Sequence, residues 1–237
     1  MADFVLVHGS WSGGFQWRVV ADLLRKEGHS VFTPTLTGLG ERSHLQSFPV
    51  NLSTHVQDIV NLFRFEEISS GILVGHSYAG MVISGVADQI PNLLERLVYI
   101  DAFIPEDGES AWDIIKSSCE ESFTNNIQSL INSEGEGVGW PNPPTRSSGM
   151  PYMKGRPMPV GTVMEKSRLS NSATSQLPCT FIHCTANLDG WPFKPATDSF
   201  RKRAEERRMS VIELETVHAC YETMPNEVAK ILLDTSI

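Results

Sequence analysis

The sequence predicts an α/β fold, a doubly wound and mostly parallel sheet flanked by helices, carrying an inserted helical cap or lid. Three observations predict it. Short apolar runs rich in Val, Ile, Phe and Tyr recur along the chain, and segments with helical spacing separate them. Most runs are apolar at successive positions rather than alternating, the pattern of strands buried on both faces. At 237 residues the chain has room for one sizeable domain of this kind and too little for two.

The first strand is read in "FVLVHG" (4–9), which runs directly into a glycine-rich turn. "WRVVADLLRKEG" (17–28) follows as a helix with Val19, Leu23 and Leu24 on one side and Gly28 as its C-cap. "SVFTPTL" (30–36) is the second strand. "THVQDIVNLFRFE" (54–66) is a helix capped by Ser53 or Thr54, with Val56, Ile59, Val60 and Phe63 as its core stripe. "GILVGHS" (71–77) and "RLVYIDAF" (96–103) are strands on either side of the helix "AGMVISGVADQI" (79–90). "CTFIHCT" (179–185) and "SVIELET" (210–216) complete the set, with helices over 199–208 and 226–237.

One region breaks this alternation. Between Pro105 and Pro178 there is no convincing strand; 109–132 has helical character, and 134–161 is dense in Gly and Pro before a short helix near 162–169. So long an irregular stretch inside a compact domain is usually functional or disordered, and its aromatic and methionine residues argue against plain disorder. The expected organisation is a core of residues 1–104 and 177–237 with a cap or lid over 105–176.

The bulk numbers bound the partners. A net charge of −9 disfavours nucleic acid and anionic membranes. No stretch approaches the roughly 20 apolar residues of a membrane span. The start "MADFVLVHG" has no basic region or cleavage pattern, so no secretory signal is expected. Cys119, Cys179, Cys184 and Cys220 show neither CxxC nor zinc-like spacing, which fits reduced thiols in a cytoplasmic protein.

The chemistry centres on "ILVGHSYAGMVI" (72–83), where an apolar strand meets a helix through Gly75-His76-Ser77-Tyr78-Ala79-Gly80. A reversal this sharp strains the backbone at its apex and requires small neighbours, a demand met by Gly75 and Ala79. The turn lifts the Ser77 hydroxyl above the sheet edge, and the helix N-terminus points amide hydrogens and its positive dipole end at the same place. Ser77 is therefore the expected nucleophile. An ordinary strand-to-helix turn is the alternative. The first glycine-rich turn lacks GxGxxG and a Lys-Ser/Thr pair, so it is no phosphate loop.

The motifs "FVLVHGSWSGG", "TPTLTGLGERS", "VGHSYAGM" and "VYIDAFIPEDG", with a late histidine in "VHACYETMP", resemble the α/β-hydrolases over essentially the whole chain. Small bacterial esterase-like hydrolases resemble it most, then the plant methylesterase and hydroxynitrile lyase group. The resemblance implies the order Ser…acid…His, with His218 as general base between the last strand and last helix. The acid stays open. The plant pattern laid without gaps falls on Asn187, with Asp189 two residues later. Asp101, closing "LVYIDAF", is the preferred candidate, because haloalkane dehalogenases on this fold can carry their acid there and a buried carboxylate needs a partner. The "HGSW" loop implies Ser10 N–H as one oxyanion donor, and Tyr78 N–H is the second.

The activity implied is hydrolysis of a small-to-medium carboxylic ester or lactone through an acyl-enzyme on Ser77, without metal or organic cofactor. Trp11, Trp112 and Trp140 are the expected pocket aromatics. The partner expected is that small-molecule substrate, with no nucleic acid and no membrane, and a homodimer is compatible with the sequence. Two alternatives stand beside it. A hydroxynitrile-lyase-like activity lacks its markers, since the lyases' threonine and lysine positions hold Gly9 and Ala219. A ligand-binding receptor on a hydrolase scaffold is the other.

Overall fold

The strands form where apolar runs can be buried from both sides. In the computed structural model, which describes residues 1–46, 50–133, 158–186 and 191–235, six strands pair side by side, every pairing parallel. They are β1 (Asp3–Val7), β2 (Ser30–Phe32), β3 (Gly71–His76), β4 (Leu94–Ile100), β5 (Cys179–Cys184) and β6 (Ser210–Leu214), in the order β2-β1-β3-β4-β5-β6. Successive side chains part to opposite faces. Phe4, Leu6, Ile72 and Val74 enter one apolar cluster, whereas Val5, Val7 and Leu73 enter the other.

Nine helices among the described residues cover the sheet and its edges: α1 (Arg18–Lys26), α2 (Leu52–Phe65), α3 (Ala79–Gln89), α4 (Ala111–Ser118), α5 (Glu121–Ser133), α6 (Gly161–Met164), α7 (Lys194–Glu206), α8 (Cys220–Thr223) and α9 (Pro225–Asp234). Helices α1 and α9 supply Val20, Leu24, Val228 and Leu232 to one face. Helices α2, α3 and α7 supply Ile59, Phe63, Val82, Val86 and Phe200 to the other. Each fully buried Leu, Ile or Phe contributes on the order of 1.5–3 kcal/mol. Residues of α4 and α6, among them Trp112, Ile115 and Val163, join the same cluster as α2 and α3.

Helix ends differ from the sequence expectations in instructive ways. Helix α2 is capped by Asn51, whose side chain accepts from Thr54 N–H while the Thr54 hydroxyl accepts from Asn51 N–H. Neither Ser53 nor Thr54 is the cap, because the reciprocal pair satisfies two orphan donors at once. On α1 the buried residues are Val20, Ala21 and Leu24, and Val19 is exposed. The stretch 109–132 divides into α4 and α5 around Cys119–Glu120, with Ser110 and Asp113 forming a capping box on α4. Gly28 adopts φ +84° after α1, as a C-cap glycine does. Helices α7 and α9 each open with proline in the first turn, where its missing N–H costs nothing.

The sheet order creates the place for a site. The chain leaves β1 toward β2 on one side and returns to β3 on the other, so the connections diverge between β1 and β3. Ligands of open parallel sheets bind in the crevice at the carboxyl ends of such strands. Val7 stands opposite Gly75, so the loops following β1 and β3 leave the sheet together.

Candidate active site

The site begins with three strained residues just beyond neighbouring strands. Trp11 follows β1 at φ +57°, Ser77 follows β3 at φ +56°, and Asp101 follows β4 at φ +45°. Such left-handed backbone is costly for residues with a Cβ and persists only where surrounding contacts fix it. For Ser77 those contacts are visible. Its N–H donates to Ile100 O at 3.1 Å, and its carbonyl accepts from Gly80 N–H at 3.0 Å and Phe103 N–H at 3.1 Å.

Close packing dictates the small residues around Ser77. A Cβ on Gly75 would lie 2.9 Å from Ala79 O, and one on Gly9 would lie 3.0 Å from Ser77 Cβ. The tightest position is Gly80, where a Cβ would stand 2.0 Å from Phe103 O. Ala79 carries its methyl without difficulty, so the strict requirement on the far side of the serine falls at Gly80. Gly80→Ala is expected to destabilise the fold by about 3 kcal/mol or more, because only backbone movement relieves the clash. A urea titration reads it as a lowered midpoint; a midpoint equal to that of the parent protein would refute the packing argument.

His218 is delivered by the loop between β6 and α8. Its Nδ1 meets Asp101 Oδ2 at 2.7 Å, and Asp101 Oδ1 accepts from Cys184 N–H at 3.3 Å. The His218 ring lies between two others, 4.4 Å from His76 and 4.6 Å from Trp191 by ring centroids. His76 Nε2 donates to the His218 carbonyl at 2.9 Å, tying the loop to β3. Asp101 is 1% exposed. Burial alone pushes its carboxyl up, but hydrogen bonds and charge from His183 and His218 outweigh that and bring it to about 2. Asp189, the other acid considered, lies outside the described residues.

Ser77 and His218 line one narrow cavity of about 40 Å³ with Ser10, Trp11 and Tyr78. Its remaining walls are Phe103, Ala111, Ile115, Val163, Phe193, Ala196, Thr197 and Phe200, so it is apolar apart from the hydroxyls and one imidazole. Among the described residues neither Ser10 N–H nor Tyr78 N–H has an internal acceptor. Of the three tryptophans expected at the pocket, Trp11 lines it. Trp112 is buried in the same apolar cluster but is not among the described residues that line this cavity, whereas its neighbours Ala111 and Ile115 are. Trp140 lies outside the described residues. Among those residues no cluster of three His, Cys, Asp or Glu is arranged to hold a metal ion.

Residues 4–230 match the alpha/beta hydrolase family. The chain belongs to that family. Within it, a stretch of 110 residues is 56% identical to a carbendazim hydrolyzing esterase of Nocardioides sp. (strain SG-4G), covering 46% of each chain. Over 185 residues it is 26% identical to a putative chloroplastic methylesterase 14 of Arabidopsis thaliana, covering 70% of this chain and 53% of that one. The chain thus spans about half the length of these curated relatives. A solved extracellular alpha/beta-hydrolase from a Paenibacillus species, described as sharing structural and functional homology with tobacco salicylic acid binding protein 2, superposes with a TM-score of 0.79. It is 26% identical, and the match covers 99% of this chain and 98% of that one.

Two further histidines brace the site. His8 Nε2 accepts from Leu36 N–H at 3.0 Å while its Nδ1 donates to Gly9 O at 2.8 Å. His55 Nε2 donates to Thr37 O at 2.8 Å, leaving Nδ1 to accept from the Tyr78 hydroxyl at 3.0 Å. The side chain of the residue after the serine is thereby fastened at its hydroxyl end. Burial is the main cause that lowers His8 and His55 to about 4 and His76 to about 3. These folded values lie below the unfolded one near 6.5. The unfolded chain therefore takes up protons first as pH falls, and stability present above about pH 6.5 is lost on the way to about pH 4. The urea midpoint at pH 5 is expected to be clearly below that at pH 7.5, by a stability difference on the order of several kcal/mol. Equal midpoints would contradict neutral burial of the three rings.

Sequence reasoning passed over His183, Trp191 and Phe193. His183 reads as one more member of an apolar strand, and the two aromatics as loop residues. No local pattern announces that they meet His218 or the cavity. The only available signal is position: each lies at or just after the carboxyl end of β5, next to β4.

Proposed function

We propose that this hydrolase cleaves carboxylic esters through an acyl-enzyme on Ser77. The observation that carries the reading is the His218–Asp101 pair. With Nδ1 engaged by a carboxylate at 2.7 Å, the imidazole is left with Nε2 as its basic nitrogen, on a cavity wall shared with Ser77. His218 takes the Ser77 proton as the hydroxyl attacks the ester carbonyl, and Asp101 stabilises the imidazolium that forms. The free amides of Ser10 and Tyr78 receive the developing oxyanion. His218 returns the proton to the leaving alcohol, then activates water against the acyl-enzyme. Of the cap expected over 105–176, residues 134–157 lie outside the described residues; α4 and α6 cover this chemistry with Ala111, Ile115 and Val163.

The apolar, aromatic walls favour an uncharged substrate with a flat or branched apolar acyl or alcohol group. The 56% identical stretch makes carbendazim the first compound to assay. A panel of aryl esters, lactones, methyl esters and carbendazim, run beside Ser77→Ala, tests the proposal. Turnover of at least one member, lost in the variant, supports it. Undiminished ligand binding in both proteins with turnover in neither would favour a receptor instead.

A further inference from the structure

His183 stands behind the acid rather than beside the substrate. It occupies β5, where Ile100 pairs with Ile182, so its position adjoins Asp101 just past β4. Its side chain is 6% exposed, and its Nδ1 lies 3.4 Å from Asp101 Oδ1. That nitrogen meets no acceptor in good hydrogen-bonding geometry. A buried polar atom without a partner is costly, and so is a buried carboxylate with lone pairs to spare. Asp101 offers four lone-pair sites, and among the described residues His218 Nδ1 and Cys184 N–H bond to them.

We propose that His183 is a positioning residue that donates from Nδ1 to Asp101 Oδ1 and holds the carboxylate square to His218 during turnover. The proposal rests on the triad reading above. A small rotation of either side chain closes the bond, and the carboxylate is then gripped on both oxygens by imidazoles. The downward pull that His183 exerts on the Asp101 carboxyl is consistent with this grip. The groups facing His183 are few. From α7, Asp198 lies 3.7 Å from its Nε2 and is itself paired with Lys194. From β6, Glu213 stands opposite in register and is engaged by Arg201 of α7. From β4 there is Asp101, with His218 beyond it.

Loss of the donor has a definite sign. Without His183, Asp101 is freer to draw a proton onto His218, so the acid limb of kcat/KM moves to higher pH. The carboxylate is also less fixed, so kcat falls while KM, set by the cavity walls, does not change. His183→Phe keeps the ring and removes the donor; kcat is expected to drop roughly tenfold or more, the effect of one hydrogen bond to a charged group. His183→Asn replaces the Nδ1 donor with an amide and is expected to recover most of the loss. If the phenylalanine variant does not fold, as judged by its thermal melt, His183→Leu replaces it in the comparison with His183→Asn. Parental kcat and an unmoved acid limb in the donor-less variant, or equal behaviour of it and His183→Asn, would overturn the proposal. Ser77→Ala runs in parallel: activity surviving there overturns the ester-hydrolase reading itself, whereas an inactive Ser77→Ala beside an unimpaired His183→Phe overturns only this inference.

Discussion

Ser77→Ala is expected to lower kcat for a simple aryl ester by at least about 10⁴-fold, leaving the fold intact. Without the hydroxyl there is no acyl-enzyme. What remains is the pair of amides at Ser10 and Tyr78 and the binding supplied by the walls, which together give only a small residual rate. Alanine keeps the Cβ and meets the same strain at φ +56°, and the Ser77 side chain makes no hydrogen bond among the described residues whose loss would weaken the turn. Melting temperature should therefore stay within a few degrees. KM should change little, since Trp11, Phe103, Ile115, Phe193 and Phe200 form the walls. Activity above about one part in a hundred in the purified variant would remove Ser77 from the mechanism.

Asp101→Asn is expected to cut kcat by roughly 10²- to 10⁴-fold, against a change within a few-fold for Asp189→Asn. Charge is the reason. The carboxylate fixes the His218 tautomer that leaves Nε2 basic, and it stabilises the imidazolium in a site where water barely reaches. An amide can turn its NH₂ toward Nδ1, which stabilises the wrong tautomer and offers no negative charge. Asparagine tolerates left-handed backbone well, so the φ of +45° at this position does not confound the comparison. The reverse ranking of the two variants would return the acid to the loop after β5.

The fold was legible because its signals are local. Short apolar runs, most of them uninterrupted, mark the six strands, and the small residues around Ser77 mark the turn that ends β3. Legibility failed where the deciding contact spans the chain. Of the two aspartates that follow strands, sequence alone prefers Asp101 and leaves Asp189 open, and the pairing that engages Asp101 joins it to a histidine 117 positions away. Trp112 sits in the same apolar cluster as Ala111 and Ile115, and which of the three reaches the cavity beside Ser77 depends on packing between α4 and elements far away in the chain. Asn51 was overlooked as a cap because its partnership with Thr54 requires both side chains to be seen at once. For His183 position in β5 is the one signal, since its meaning comes from Asp101 past the neighbouring strand.

The carboxylate that meets His218 follows β4, whereas Phe193 before α7 and Ala196 and Phe200 within it line the cavity wall. None of these three handles a proton. Evolution, or a mutagenesis library, can therefore vary that wall to admit new acyl shapes without disturbing the machinery of bond cleavage. Under the proposed mechanism the separation makes this scaffold modular, with selectivity adjustable apart from turnover.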